Sequence, residues 1–243
     1  MLIIPAIDLR DGKCVRLVEG RLDRETIYSD DPITVAQNWQ EKGVQYLHLV
    51  DLDGAFAGTP KNLYTIEKIV RTVDVPVELG GGIRDLPTAE RLLGLGVSRV
   101  ILGTVAVQNP ALVNEACARF GSAAVVVGID AREGKVAIEG WGQIAEKDAL
   151  SLADEIRQAG VERVIFTDIS RDGTLQGPNI AAIKEFALSS QMKVIASGGV
   201  SVIEDITALK ELEPFGVEGV IIGKALYAGT VTIEQALALV KGE

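Results

Sequence analysis

Residues 7–13 read Ile-Asp-Leu-Arg-Asp-Gly-Lys, and residues 129–135 read Ile-Asp-Ala-Arg-Glu-Gly-Lys. Further stretches repeat in the same order at a spacing of about 120 residues: 53–58 with 172–177, 78–83 with 195–200, and 100–104 with 220–224. Chance does not readily produce four correspondences in one order. The sequence therefore predicts a chain built of two similar halves, about 1–122 and 123–243.

Short β-rich runs alternate with longer helical patterns along the whole chain. The runs are 2–7, 46–50, 75–79, 99–102, 123–129, 163–166, 193–196 and 219–222. Such alternation is typical of parallel βαβ units. Eight units in a chain of 243 residues predict one (β/α)8 TIM-barrel domain, 1–243, of class α/β with an internal two-fold repeat.

The dipeptide Gly-Val precedes each even-numbered run, at 43–44, 96–97, 160–161 and 216–217. A glycine just past a helix supplies the left-handed conformation, and valine restarts the extended chain. Four copies at irregular intervals favour the quarters of a barrel over a short solenoid repeat. The polar stretch 10–32 is too long for an ordinary connection, so it is predicted to be an active-site lid.

Charge and composition limit the class of function. A formal net charge of −10 argues against a nucleic-acid binder, which needs a basic face, but not against a small phosphorylated ligand held by backbone N–H groups. The chain shows no signal-peptide pattern and no apolar run near the roughly 20 residues that span a bilayer. We therefore expect a cytoplasmic protein without nucleic-acid or membrane partners.

Asp8 and Asp130 are the first candidates for catalysis. Each ends its predicted strand, the first and the fifth, just before a turn, and the C-terminal ends of the strands form the active site of such barrels. Strands one and five face each other. Opposed carboxyl groups can act as general acid and general base on a substrate between them. The alternative is that each aspartate only shapes its turn.

Glycines at the ends of four predicted strands indicate two phosphate sites, one in each half. The residues are Gly81, Gly82, Gly103 and Thr104 in the first half, and Gly198, Gly199, Gly223 and Lys224 in the second. Glycine lets the backbone approach an anion, and the loops after strands seven and eight are the recurrent phosphate site of these barrels. One glycine pair could equally form a tight turn, but its repetition predicts a substrate with two phosphates.

Four other polar residues lie at strand ends or in the loops that follow. They are Asp51, Asp168, Asp172 and Thr174. Each could contact sugar hydroxyls or shape a turn, and the sequence does not decide between these roles.

Trp141 lies between two glycines after the fifth strand, where an aromatic ring could close over a heterocycle. His48, the single histidine, is interpreted as a packed, hydrogen-bonded core residue and not as the catalyst. Cys14 and Cys117 show no metal or redox spacing, and no GxGxxG follows a strand. No metal and no dinucleotide cofactor are predicted.

Five motifs resemble those of the phosphoribosylformimino-aminoimidazole carboxamide ribotide isomerases, the sugar isomerases of histidine biosynthesis. They lie at 4–9, 48–55, 78–84, 172–175 and 196–200, and together span nearly the whole chain. The resemblance implies a half-repeated barrel that performs an Amadori rearrangement of an aminoaldose to an aminoketose. It implies a monomer, and a reaction that needs no cofactor. It also implies a substrate with a phosphate at each end, with Asp8 as proton acceptor and Asp130 as proton donor.

Three alternatives stay open beside this resemblance. The cyclase subunit of imidazole glycerol phosphate synthase is similar, but it typically has a cysteine and Leu-Asp-Val where this chain reads Ala6-Ile7-Asp8-Leu9. A dual-substrate isomerase that also acts on phosphoribosylanthranilate keeps the same motifs. A noncatalytic phosphosugar-binding barrel would keep the glycine loops without needing two opposed strand-end acids.

Overall fold

A closed parallel barrel organises the computed structural model, which describes residues 1–242. The strands are β1 (Leu2–Arg10), β2 (Lys13–Val18), β3 (Arg21–Ser29), β4 (Leu47–Asp51), β5 (Val77–Gly80), β6 (Arg99–Leu102), β7 (Val125–Arg132), β8 (Lys135–Ile138), β9 (Gln143–Asp148), β10 (Arg163–Asp168), β11 (Lys193–Ser197) and β12 (Val217–Ile222). The barrel runs β1-β4-β5-β6-β7-β10-β11-β12 and closes by the pairing of β12 with β1. The predicted (β/α)8 fold is confirmed.

Helices follow the barrel strands and cover the outside of the sheet. They are α1 (Pro32–Glu41), α2 (Leu52–Ala57), α3 (Leu63–Thr72), α4 (Leu86–Gly94), α5 (Thr104–Gln108), α6 (Pro110–Phe120), α7 (Ala149–Gln158), α8 (Ile180–Ser190), α9 (Ile203–Lys210), α10 (Lys224–Ala228) and α11 (Ile233–Lys241). Within residues 1–242, none of them has the length and apolar character needed to cross a membrane.

The first and fifth barrel strands are longer than predicted. β1 continues to Arg10 and β7 to Arg132, because each turns back in an antiparallel hairpin with β2 or β8. Asp8 and Asp130 therefore lie within strands and not at their ends, which corrects the sequence-based placement. The repeated motif at 7–13 and 129–135 encodes these two hairpins.

Left-handed backbone at the hairpin turns explains the repeated motif. Asp11 and Gly12 have φ values of 47° and 72°, and Glu133 and Gly134 have 51° and 79°. Two successive positive φ values are typical of the tight turn that matches the twist of a two-stranded ribbon. The stretch 10–32, predicted to be an active-site lid, contains the paired strands β2 and β3.

Two apolar cores hold the barrel. The larger lies between the sheet and the helices. The smaller fills the barrel lumen with Ile4, Ala6, Tyr46, Ile101, Val126, Ile165, Ile195 and Ile221. Because the lumen is packed in this way, a ligand can enter only at the ends of the barrel, above these side chains.

Candidate active site

A cavity of about 260 Å³ opens at the C-terminal ends of the barrel strands. Most of the residues predicted from the sequence line it: Asp8, Gly81, Gly82, Gly103, Thr104, Asp130, Trp141, Asp172, Gly198, Gly199, Gly223 and Lys224. The fold thus brings both aspartates and both sets of glycine loops to one site, as expected for the active end of a β/α barrel.

Asp8 is paired with a cation. Its carboxylate accepts a hydrogen bond from Arg16 Nη1 at 2.7 Å, and Arg16 Nη2 donates to the carbonyl of Ala6 at 2.6 Å. Burial by itself would lower the pKa of Arg16, but Asp8, Tyr227 and Asp172 together raise it. The two side chains form a charge-assisted hydrogen bond in which the carboxyl group of Asp8 is the acceptor.

Asp130 has a different environment, although it occupies the equivalent position on β7. Its carboxyl group accepts a hydrogen bond from Trp141 Nε1 at 2.7 Å, and no ion pair to it occurs among residues 1–242. Burial raises the pKa of Asp130, and the opposing effects of Trp141, Thr167 and His48 do not cancel that rise. The proton is therefore held more tightly here than on an ordinary aspartate.

Asp172 adds a third carboxyl group to the cavity, from the loop between β10 and α8. Burial raises its pKa to about 6; Arg16 and His48 oppose the shift, and Asp8 and Asp130 add to it. Of the four possible substrate contacts in the strand-end loops, it is the one that reaches the cavity. A carboxyl group with this pKa exchanges its proton near neutral pH.

Asp51, Asp168 and Thr174 do not line the cavity and instead form hydrogen bonds within the loops that follow their strands. The fully buried Asp51 accepts hydrogen bonds from the backbone N–H groups of Gly54 and Asn62. Asp168 accepts from Ser170 and Asn179, and Thr174 donates to the carbonyl of Arg171. Their hydrogen bonds match the turn-shaping alternative, and the geometry gives no support to contacts with sugar hydroxyls.

Two β-hairpins, β2–β3 and β8–β9, meet over the mouth of the cavity. Trp141, at the tip of the second hairpin, packs against Gly20 at the tip of the first. A β-carbon at Gly20 would lie 2.6 Å from Trp141 Cε3, so only glycine fits this contact. The indole lies in the mouth, and its N–H donates to Asp130.

The glycine loops are fixed by close backbone packing. A β-carbon on Gly81 would lie 2.2 Å from the carbonyl oxygen of Asp51, and one on Gly199 would lie 2.6 Å from that of Gly177. Both glycines have positive φ values, 105° and 92°. Any larger residue would displace the loop, so these glycines keep the backbone at the cavity wall.

Two short helices begin at the cavity, α5 after Gly103 and α10 after Gly223. Glycine has no side chain that could cap a helix, so the N-cap residue of each helix accepts no hydrogen bond from the first backbone N–H groups through a side chain. Thr104 Oγ1 accepts a hydrogen bond from Glu139 N at 2.9 Å, and Lys224 Nζ donates to the Gly173 carbonyl at 2.7 Å. The two helix starts are thereby tied to the hairpin that carries Trp141 and to the loop that carries Asp172.

Sequence reasoning missed several polar residues of the site, among them Arg16, His48 and Thr167. Arg16 was not considered, although the hairpin turn at Asp11-Gly12 is the signal that folds it back beside Asp8. His48 is buried and hydrogen-bonded to Glu78, as expected of a core residue, but it also lines the cavity. Among residues 1–242, no group of three or more His, Cys, Asp or Glu side chains is arranged to hold a metal ion.

Comparisons with known proteins identify the family of the chain. The family model described as "Histidine biosynthesis protein" matches residues 2–232. A relative from Pelotomaculum thermopropionicum is 63% identical over 100% of this chain and 93% of its own, and one from Desulforamulus reducens is 57% identical over 100% and 98%. A third, from Syntrophotalea carbinolica, is 55% identical over the whole of both chains.

All three relatives carry the name 1-(5-phosphoribosyl)-5-((5-phosphoribosylamino)methylideneamino) imidazole-4-carboxamide isomerase. The family match covers most of the chain, and these identities extend along its whole length. The chain therefore belongs to the histidine biosynthesis protein family.

Proposed function

We propose that this protein is an intramolecular oxidoreductase of the aldose–ketose type that acts in histidine biosynthesis. Its substrate would be the bis-phosphorylated ribotide named in its relatives, 1-(5-phosphoribosyl)-5-((5-phosphoribosylamino)methylideneamino) imidazole-4-carboxamide. The observation that carries the proposal is the pair Asp8 and Asp130, which line one cavity in different electrostatic surroundings. One carboxyl group is suited to accept a proton and the other to donate one.

Asp130 is the proposed general acid. In the first step its proton passes to the ribose ring oxygen, the bond from that oxygen to C1′ breaks, and a protonated Schiff base forms between C1′ and the amine nitrogen. The raised pKa of Asp130 supports this role, because the group must carry a proton before the reaction begins.

Asp8 is the proposed general base. Paired with Arg16, it takes the proton from C2′, and the electrons of that C–H bond move toward the Schiff base to give an enaminol. The enaminol then loses its hydroxyl proton and gains one at C1′, which completes the aminoketose. Each step moves protons within one substrate, so the chemistry requires no redox cofactor.

The two glycine loops are the proposed phosphate sites, one at Gly82 and Thr104 and the other at Gly199 and Lys224. Support comes from backbone held at the cavity wall and from helix starts without side-chain caps. Two anchored phosphates would fix the ribose between the aspartates and align its reacting atoms. Trp141, in the mouth between the hairpins, is the proposed contact for the heterocycle.

A spectroscopic assay of the purified protein tests the proposal. We expect turnover of the aminoimidazole ribotide substrate, and phosphoribosylanthranilate, assayed in parallel, reports whether the enzyme has a second substrate. Binding of the ribotide without turnover would reject the isomerase and favour a phosphosugar-binding barrel.

A further inference from the structure

A chain of buried polar side chains crosses three barrel strands beneath the cavity. His48 Nδ1 lies 2.9 Å from Glu78 Oε1, and Arg99 Nη1 lies 3.4 Å from Glu78 Oε2. The strand register places these residues side by side, with His48 beside Glu78 and Glu78 beside Arg99. Glu78 is fully buried, and the Arg99 guanidinium stacks 4.3 Å from the centre of the Tyr46 ring.

The second half of the barrel has apolar or small residues in the same places. In the strand register, Asp8 on β1 lies opposite Val50 on β4, and Asp130 on β7 lies opposite Thr167 on β10. These equivalent positions allow the strands of the two halves to be matched residue by residue. By that register, the counterparts of His48, Glu78 and Arg99 are Ile165, Ile195 and Gly219.

The fold itself does not require this buried charge. Ile165 and Ile195 fill their half of the lumen as part of the inner core. Replacing a buried ion pair by apolar residues is often neutral or stabilising, because the charges no longer have to be desolvated. The second half has an ion pair of its own, Arg163 with Glu218, but at other register positions and outside the cavity lining. The polar chain from Arg99 to His48 reaches the cavity, and its register counterparts in the second half are not polar, which points to a role in function.

The hydrogen bond fixes which ring nitrogen of His48 carries a hydrogen. The carboxylate of Glu78 can only accept, so Nδ1 must be the donor. The other nitrogen, Nε2, is then left for the cavity that His48 lines. Asp130 and Asp172, two carboxyl groups with raised pKa values, line the same cavity.

We infer that Glu78, held by Arg99, is a positioning residue for the active site. It orients the His48 ring and selects the tautomer that leaves Nε2 without hydrogen, in the cavity that Asp8, Asp130 and Asp172 also line. A buried carboxylate behind a functional histidine is a recurrent way to fix both ring orientation and tautomer. The inference rests on the proposed isomerase function for its kinetic consequence, but the tautomer can be measured without substrate.

Nitrogen-15 NMR of the imidazole tests this inference directly, because the chain contains a single histidine and its ring signals need no further assignment. The wild-type protein should show one tautomer with hydrogen on Nδ1. In Glu78→Gln, which keeps the shape but loses the charge, that preference should weaken. The kcat should fall about tenfold, as for other partners that orient a functional histidine, while KM changes less than about twofold.

Glu218→Gln is the matched control. It removes the ion pair between Glu218 and Arg163 from the same barrel without touching His48. This variant should lose stability yet keep the wild-type imidazole spectrum and kcat. A similar fall in kcat in both variants would overturn the inference, because it would show a general effect of losing a lumen charge.

Two further outcomes would also overturn it. One is a wild-type spectrum with hydrogen on Nε2, or with exchanging tautomers, which requires no variant. The other is a wild-type kcat in a folded Glu78→Gln protein. If that variant does not fold, His48→Ile, which copies Ile165 of the other half, should fold and lose about tenfold in kcat, and full activity would refute the role. Absence of wild-type turnover would instead reject the proposed function and leave the tautomer result intact.

Discussion

Asp8 and Asp130 occupy equivalent positions, yet single neighbours give them different properties. The guanidinium of Arg16 lies beside Asp8, and an indole N–H lies beside Asp130. The guanidinium pairs with the carboxyl group of Asp8, whereas burial raises the pKa of Asp130 in spite of the opposing hydrogen bond from the indole N–H. One residue on each hairpin therefore breaks the two-fold symmetry of the site.

Replacement of either aspartate should stop the reaction and leave binding nearly intact. Asp8→Asn and Asp130→Asn each remove a proton-transfer group without changing its shape, so kcat should fall by roughly 10²-fold or more. Isothermal titration with the product should give a Kd close to that of the wild type. An Asp8→Asn variant near full rate would make Asp172, the remaining carboxyl group of the cavity, the candidate base.

Removing the indole N–H should change the pH dependence of the reaction. The hydrogen bond from Trp141 lowers the pKa of Asp130, so its loss in Trp141→Phe should raise that pKa further. Because Asp130 acts as an acid, the alkaline limb of the kcat/KM profile should move to higher pH. If the alkaline limb moved to lower pH or did not move, the ionisation behind that limb would belong to a group other than Asp130.

Asp172 should make stability depend on pH. The unfolded chain releases this proton near the ordinary value of 3.8 and the folded protein near 6, so the folded state binds more protons between those values. The free energy of unfolding therefore falls as pH rises through this window. Asp172→Asn lacks this titration, so its free energy of unfolding should not fall in the same window. Measured by urea unfolding, the difference between the variant and the wild type should therefore shift by about 1–3 kcal/mol in favour of the variant between pH 4 and pH 7. A constant difference would show that the carboxyl group is not buried in solution.

At the scale of elements, the tips of the two hairpins meet at the cavity mouth, where Trp141 packs against Gly20. Gly20 and Gly134 both have left-handed backbone, with φ values of 71° and 79°, but only Gly20 has a side chain packed where a β-carbon would lie. A residue other than glycine would be strained by the positive φ at either position. Only at Gly20 would its β-carbon also collide with Trp141.

This difference gives a matched pair of variants. Gly20→Ala and Gly134→Ala should each lose about 1 kcal/mol of stability from backbone strain. Gly20→Ala should also displace Trp141 from Asp130, raise KM and change tryptophan fluorescence, whereas Gly134→Ala should leave all three unchanged. Equal kinetics in the two variants would mean that the contact between the hairpins does not serve substrate binding.

At the scale of the whole molecule, the half repeat predicts two anion sites on opposite sides of one cavity. A crystal structure of the protein grown with sulfate should show one anion near Gly82 and Thr104 and another near Gly199 and Lys224. The reason is that both sites combine close-packed glycine backbone with a helix start lacking a side-chain cap. Anions bound only elsewhere would refute the pairing.

Much of the fold was predictable because it depends on local patterns. The eight predicted β runs correspond to the barrel strands. The Gly-Val pairs mark where a helix ends and the next strand begins, and the repeated motifs mark the two halves. The ends of β1 and β7 were not predicted, because the signals at Asp11-Gly12 and Glu133-Gly134 were interpreted as the repeat and not as hairpin turns. That omission also hid Arg16, whose place beside Asp8 depends on the hairpin.

The sequence by itself determined the barrel, its two halves, the two aspartates and the glycine loops, because periodicity and residue type are properties of the chain alone. The tertiary structure decided which residues share a cavity. It placed Asp172 and His48 in the cavity and left Asp51 outside, and it gave Asp8 and Asp130 unequal partners. Proton affinity depends on burial and on charges a few ångströms away, and those distances exist only once the strands have closed into a barrel.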